Sequence, residues 1–247
     1  MKLLRPLITA AGLIGAWWLL QAGLELPQYM LPAPPRVAEA LWANRLLLLA
    51  STFTTLAETL LGLVMGTLLG ACAALVMAFS PPLRRWLLPL LLLSQAVPVF
   101  ALAPLLVLWL GFGMASKVAV AVLVIFFPIM SATFDGLRQV PAEWLDLAAT
   151  MGAPPWRVLI HVRLPAALPS FGSGLRVAAA LAPIGAVIGE WVGASSGLGY
   201  VMLNANARVR TDLMFAALLV LSAMTIGVWW VVDWGVGRML RRQGGQQ

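Results

Sequence analysis

Six stretches of this chain are so long and so apolar that water is a poor solvent for them. They run approximately over 7–24, 52–79, 87–110, 117–136, 167–192 and 213–237. A bilayer core of about 30 Å takes roughly 20 apolar residues as a helix. Inside hydrocarbon, backbone N–H and C=O groups must be satisfied within the segment, and a helix does this. The expected fold is therefore an all-α polytopic membrane protein with six transmembrane helices, forming a single transmembrane domain over 1–247. Composition excludes the soluble alternative: 62% of residues are hydrophobic and only 10% charged, against about half and a quarter in soluble domains. The first stretch follows Lys2 and Arg5, as a signal peptide would. It is long for one, and "QAGLELP" is a poor cleavage site, so it is read as a retained helix.

Loop charge sets the expected orientation. With the N terminus inside, the inner loops and termini receive Lys2, Arg5, Arg84, Arg85, Arg138, Arg157, Arg163, Arg238, Arg241 and Arg242. The outer loops receive Arg36, Arg45, Lys117, Arg208 and Arg210, and Arg176 falls inside a span. This asymmetry predicts that both termini are cytoplasmic. It also accounts for the net charge of +7, which therefore does not point to nucleic acid. The single cysteine, Cys72, sits in an apolar run and cannot form an internal disulfide. No HExxH, GxSxG or GxxxxGK[ST] pattern occurs, so no metal site, nucleophile elbow or phosphate-cradling loop is expected.

One segment breaks the apolar monotony: "DLAATMGAPPWRVLIHVRLPAALP", residues 146–169. Read from Pro141, where proline costs a helix little, it forms a short amphipathic helix. Trp144, Leu147, Ala148 and Met151 share one face, with Glu143, Asp146 and Thr150 opposite. Gly152 supplies a helix stop, and Pro154–Pro155 prevents continuation. A second short helix carries Trp156, Arg157, Leu159 and Ile160, and Leu164–Pro165 is expected to end it before the fifth span. The product is a cytoplasmic helix–turn–helix over 141–165. Either it rests on the bilayer or it docks into a groove of a soluble partner.

The spacing resembles the EAA motif of ATP-binding-cassette (ABC) importer permeases: E-A-A, three residues, G, nine residues, I-x-L-P. Asp146-Leu147-Ala148 takes the E-A-A place, Gly152 the glycine, and Val162, Leu164 and Pro165 the last element. Asp for Glu and Leu for Ala depart from the pattern. "LPAPPRV", "SQAVPVFALAPLLVLWLG" and "GEWVGASSGLGYVM" resemble the nitrate/sulfonate/taurine branch of these permeases. "APIGAVIGEWVGASSGLGYVMLNANARVRTDLMFAALLVL" is most similar to permeases for thiamine's pyrimidine precursor, hydroxymethylpyrimidine.

The resemblance implies a type I importer fold in the bacterial inner membrane. It also implies that Asp146, Leu147, Ala148, Gly152, Ala153, Val162, Leu164 and Pro165 couple to a cytoplasmic ATPase subunit, which binds ATP and Mg while this chain binds no cofactor directly. A periplasmic or lipid-anchored binding protein would deliver the solute. A second permease copy would complete the pathway, most simply as a homodimer.

Other residues carry readings of their own. Ionisable groups in spans are costly and usually face a cavity or a partner, which marks Glu190 as a gate or packing residue. Arg176 is expected either to snorkel to the inner headgroups or to pair with an acid such as Asp135 or Asp146. Glu58 reads equally as an outer-surface or a buried residue. Pro98, Pro104 and Pro183 interrupt apolar helices, as pathway-lining helices often are, and Ser94 and Gln95 add polarity beside the first. Gly62, Gly66 and Gly70 form a small-residue face for close helix contact. His161 is expected to be solvated, and Asp212 to cap the sixth span. A secondary transporter would require intramembrane coupling groups and internal repeats, of which the chain shows few and none.

Overall fold

In the computed structural model, residues 4–24 and 27–244 are described, and among them every regular element is helical. In chain order these are α1 (Leu4–Gly23), α2 (Pro34–Ala43), α3 (Arg45–Phe79), α4 (Pro81–Ser94), α5 (Val99–Leu110) and α6 (Met114–Arg138). There follow α7 (Ala142–Thr150), α8 (Pro155–Val158), a π-helical turn Leu159–Arg163, α9 (Leu164–Gly193), α10 (Leu198–Ala207) and α11 (Thr211–Gly244).

Four helical stretches are long and apolar enough to cross a membrane: α3, α6, Pro155–Gly193 and α11. The α4–α5 pair makes a fifth if it counts as one span, for its two halves meet at a bend of 100°. The expected third helix, 87–110, is thus broken. Pro98 stands at the N-cap of α5 with extended backbone. Such a conformation is what proline's own ring and the α-disfavouring of its predecessor permit. Pro104 and Pro183, by contrast, lie inside continuous helices.

The core is a three-helix layer in which α6 is gripped by α3 on one side and α9 on the other. Glycine makes the approach possible. A Cβ on Gly62 would press on the Ala121 side chain, and one on Gly185 would lie 2.7 Å from the Ala121 Cα. A Cβ on Gly189 would lie 2.8 Å from the Cα of Lys117. With few hydrophobic forces available between helices in lipid, such backbone proximity supplies the dispersion contacts that hold them. The Gly62–Gly66–Gly70 face therefore meets α6. Leu63, Ile125, Ile129, Ala178, Ala179 and Ala182 fill the middle of the layer.

At one end, α2 and α10 pack with the starts of α3 and α11 around Val37, Leu48, Leu198 and Ala216. At the other end, Met77, Phe134, Leu137, Leu159 and Ala167 form a second cluster under the π-turn. Helix α1 joins through Trp17, whose ring stacks on Phe215 at 5.7 Å.

Two expectations fail here, and a third is met with another partner. The second short helix does not end at Leu164–Pro165, because α8, the π-turn and α9 form one continuous helix of 39 residues from Pro155 to Gly193. Pro165 has no N–H to donate to residue 161 and would crowd that carbonyl in an α-turn. The wider π-turn just before it relieves the crowding. Arg176 pairs with neither Asp135 nor Asp146; its Nε donates to Asp233 of α11 at 2.6 Å. Asp212 lies inside the first turn of α11, which begins one residue earlier at Thr211.

Candidate functional site

Two places concentrate chemistry, one at each end of the three-helix layer. The first is α7 and its turn. Trp144, Leu147 and Met151 are exposed, while Ala148 on the same face is buried. Among the described residues no other helix packs extensively on α7. Its end is fixed: Gly152 adopts φ +67°, Ala153 N–H donates to Ala148 O at 3.0 Å, and Gly152 N–H to Ala149 O at 2.9 Å. That pair of bonds is a Schellman stop, so the turn read from the sequence at Gly152 is the turn that forms. Pro154 and Pro155 then redirect the chain into the 39-residue helix. Asp146 is exposed and Val162 and Leu164 are half-buried, the last packed on the cluster around Leu159. His161 is exposed, with its ring nitrogen 3.1 Å from Arg157 O.

The second place lies at the opposite end, around Glu190. Its carboxylate is fully buried and accepts three hydrogen bonds. Thr55 Oγ1 donates to Oε1 at 2.6 Å; the N–H groups of Gly199 and Tyr200 donate to Oε2 at 2.5 and 3.3 Å. Thr55 Oγ1 in turn accepts the N–H of Leu198 at 2.8 Å. A helix leaves its first N–H groups without intrahelical partners, and a local Ser, Thr, Asp or Asn usually serves them. Here α10 begins after Gly197, which has no side chain to offer. Its first turn is capped instead by residues of α3 and α9. Gly197 sits at φ +112°, and a Cβ there or on Gly199 would overlap the Glu190 carboxylate. The glycines in "SSGLGY" therefore let the loop close over the acid.

Beside this clasp, Lys117 of α6 donates to Glu58 Oε1 of α3 at 2.7 Å, both residues buried. The Glu58 carboxyl adjoins that of Glu190. Lys117 is therefore not the loop residue expected from its position. It extends from the first turn of α6 into the protein, where Glu58 offers its ammonium a partner. A cavity of about 380 Å³ opens next to the pair, bounded by α3, the start of α6 and the α9–α10 loop. The proline-marked polar groups do not join this cluster. Ser94, Gln95 and Pro98 are exposed at the α4–α5 bend, Pro104 is exposed on α5, and Pro183 is buried in α9 two turns before Glu190.

Lys117 is the functional candidate the sequence reading missed; Glu58, open there between an outer-surface and a buried place, is its buried partner. They lie 59 positions apart, but each was an ionisable residue beside an apolar span, and opposite charges there seek one another. Among the described residues no group of three or more His, Cys, Asp or Glu is placed to hold a metal ion.

The family model for the binding-protein-dependent transport system inner membrane component matches residues 62–243. A probable ABC transporter permease protein of Haemophilus influenzae is 50% identical over 239 residues, covering 97% of this chain and 98% of that one. The formylaminopyrimidine transport permease protein ThiX of Halalkalibacterium halodurans is 38% identical over 210 residues, covering 85% and 84%. In fold, the chain resembles an inward-facing structure of the MetNI methionine ABC transporter. The TM-score is 0.69 at 18% identity, over 81% of this chain and 98% of that one.

Proposed function

The chain belongs to the family of binding-protein-dependent transport system inner membrane components, and from that membership we propose that it is the membrane permease subunit of an ATP-driven importer of a small solute. The observation that carries the coupling part of this reading is α7. It is an exposed apolar knob with a fixed stop, packed extensively on no other helix among the described residues and leading into the core by one continuous helix. Such a knob has the form of a helix presented to a partner's groove. The partner is a cytoplasmic ABC ATPase subunit that holds ATP and Mg; this chain contributes contact and motion, not catalysis.

In the full reading the whole chain forms one permease domain with six spans: α1, α3, the bent α4–α5 pair, α6, the helix ending at Gly193, and α11. Taking Lys117 out of the outer loops sharpens the charge asymmetry that sets both termini inside. The membrane is the bacterial inner membrane. A periplasmic or lipid-anchored binding protein delivers solute to the end carrying Glu190, and two copies of the chain face each other as a homodimer. ATP binding closes the ATPase pair, α7 moves with it, and the continuous helix conveys the displacement toward the Glu190 clasp. The proposed cargo is a thiamine pyrimidine precursor, supported by the similarity to the formylaminopyrimidine permease; aliphatic sulfonate, taurine or nitrate is the competing cargo.

Co-purification tests the reading. Tagged permease expressed with its genomic neighbours should carry an ATPase subunit in stoichiometric amount, and its absence would sink the importer assignment. Orientation has its own test. On a Cys72→Ser background, a cysteine at position 157 should resist impermeant thiol reagents added outside and react only after permeabilisation. Labelling from the periplasmic side would overturn the proposed topology.

A further inference from the structure

We propose that Glu58 and Glu190 hold one proton in common, bound between Glu58 Oε2 and the Glu190 carboxylate, and that this proton latches the start of α10 to the three-helix layer. The latch sits at the end that receives solute in the reading above, but it stands without that reading.

The donors and acceptors require such a proton. An ionised carboxylate only accepts hydrogen bonds, whereas a protonated one also donates. Glu190 is already an acceptor three times over, from Thr55, Gly199 and Tyr200. Glu58 receives Lys117 on Oε1, while its buried Oε2 meets no N–H or O–H donor among the described residues. The two acid side chains are in hydrogen-bonding contact, and Oε2 is the Glu58 oxygen free to make that bond. Two carboxylates cannot bond to each other without a proton between them. An O–H on Glu58 Oε2 supplies it, and a costly unmatched acceptor becomes a donor.

Charge gives the same count. Of the helices around the pair, α6 brings Lys117, α9 brings Glu190, and α10 brings its first N–H groups, Tyr200 among them. Helix α5 has no ionisable side chain, and Asp233 of α11 is bound to Arg176. Arg36, Glu39, Arg45 and Arg208 are exposed, and Asp212 is half-buried in the first turn of α11. One ammonium therefore faces two acids, and a single added proton makes the buried group neutral. Without it, two like charges would share a site from which water is excluded.

The latch follows from the fit. Gly197 and Gly199 press so closely on the Glu190 carboxyl that α10 cannot move off without uncovering it. Lys117, its side chain 8% exposed, borders the adjoining cavity together with Ser195 and Ser196 of the α9–α10 loop. An opened loop would admit water from there. The hydrated Glu58 then ionises: its O–H bond breaks, the electron pair stays on Oε2 and the proton passes to water. Closing takes up one proton and opening releases it, so acid favours the closed form and rising pH weakens it.

Hydrogen exchange on the full chain in lipid nanodiscs reads the opening. Protection of the Gly199 and Tyr200 amides, corrected for the base catalysis of exchange itself, should fall about tenfold per pH unit through the neutral range, as release of one proton requires. Glu58→Gln replaces the O–H by an amide N–H that can donate to Glu190 and keeps a carbonyl for Lys117. It should retain the protection and abolish its slope. Infrared spectroscopy gives a second readout. At neutral pH the wild type should show the carbonyl band of a protonated carboxylic acid, shifted in D2O, and Glu58→Gln should lack it. Glu190→Gln should also lose band and slope, starting from lower protection because its cap on α10 is weaker; it decides the matter if Glu58→Gln does not fold. The proposal is overturned if corrected wild-type protection does not vary with pH, or if the folded variants fall with the wild-type slope. Absence of the acid band from the wild type, or its survival in the folded variants, overturns it equally.

Discussion

Glu190→Ala should destabilise the solubilised permease by about 3 kcal/mol or more, because it strips the cap from a helix that has no cap of its own. Two N–H groups in the first turn of α10, those of Gly199 and Tyr200, end on Glu190 Oε2. Leaving a buried donor unmatched costs about 1–3 kcal/mol each. Thr55 suffers less, since its hydroxyl can turn to Ser51 O, 3.1 Å away. Glu190→Gln keeps one acceptor oxygen and should lie between alanine and wild type. Thermal unfolding in detergent, followed by size-exclusion recovery, reads the series. If the alanine variant melts with wild type, then Leu198, Val201 and Ala205 hold α10 by packing alone, and the clasp is ornamental.

Gly152→Val should separate membrane insertion from partner binding. The glycine sits at φ +67° with nothing within 4 Å of where a Cβ would stand, so space is not the obstacle. The obstacle is the left-handed backbone, which costs a residue with a Cβ about 1–2 kcal/mol and a β-branched residue more. The turn would relax, the Schellman bonds would open, and α7 would lose its fixed angle to the helix that follows. The variant should reach the membrane in normal amount yet lose the ATPase in pull-downs. Gly152→Asn should keep it, since asparagine visits this conformation with less strain. Asp146→Lys, on the exposed face, should keep the helix and lose at least solute-stimulated ATP hydrolysis. Retention of partner and transport by both Gly152→Val and Asp146→Lys would mean that α7 merely lies on lipid.

What the sequence revealed followed physical range. The stop at Gly152 was legible because everything that determines it lies within six residues. The glycine face of α3 was legible as a pattern, but not its partner, since many apolar helices could have filled that role. Apolar length found the four long helices, but hydropathy is blind to direction, and it was Pro98, read as an interruption, that marked the break between α4 and α5. The continuation through Pro165 was missed: proline signals a missing donor, but not whether the chain answers by ending or by widening one turn. The pairs Glu58–Lys117 and Arg176–Asp233 were out of reach. Each joins residues more than fifty positions apart, and charge alone names no partner. Gly197 and Gly199 could have pointed to the clasp, as two closely spaced glycines shortly after an intramembrane acid.

The unbroken helix from Pro155 to Gly193 has a consequence for how this chain can vary. An α-helix turns about 100° with each residue, and Glu190 must face Thr55 and the start of α10 while Leu159 and Ala167 face the cluster below. One residue gained or lost between those two ends would swing the acid about a quarter-turn away from its donors. No loop lies between them to absorb the slip. This interval is held to one count of residues, and its phase decides where Glu190 points.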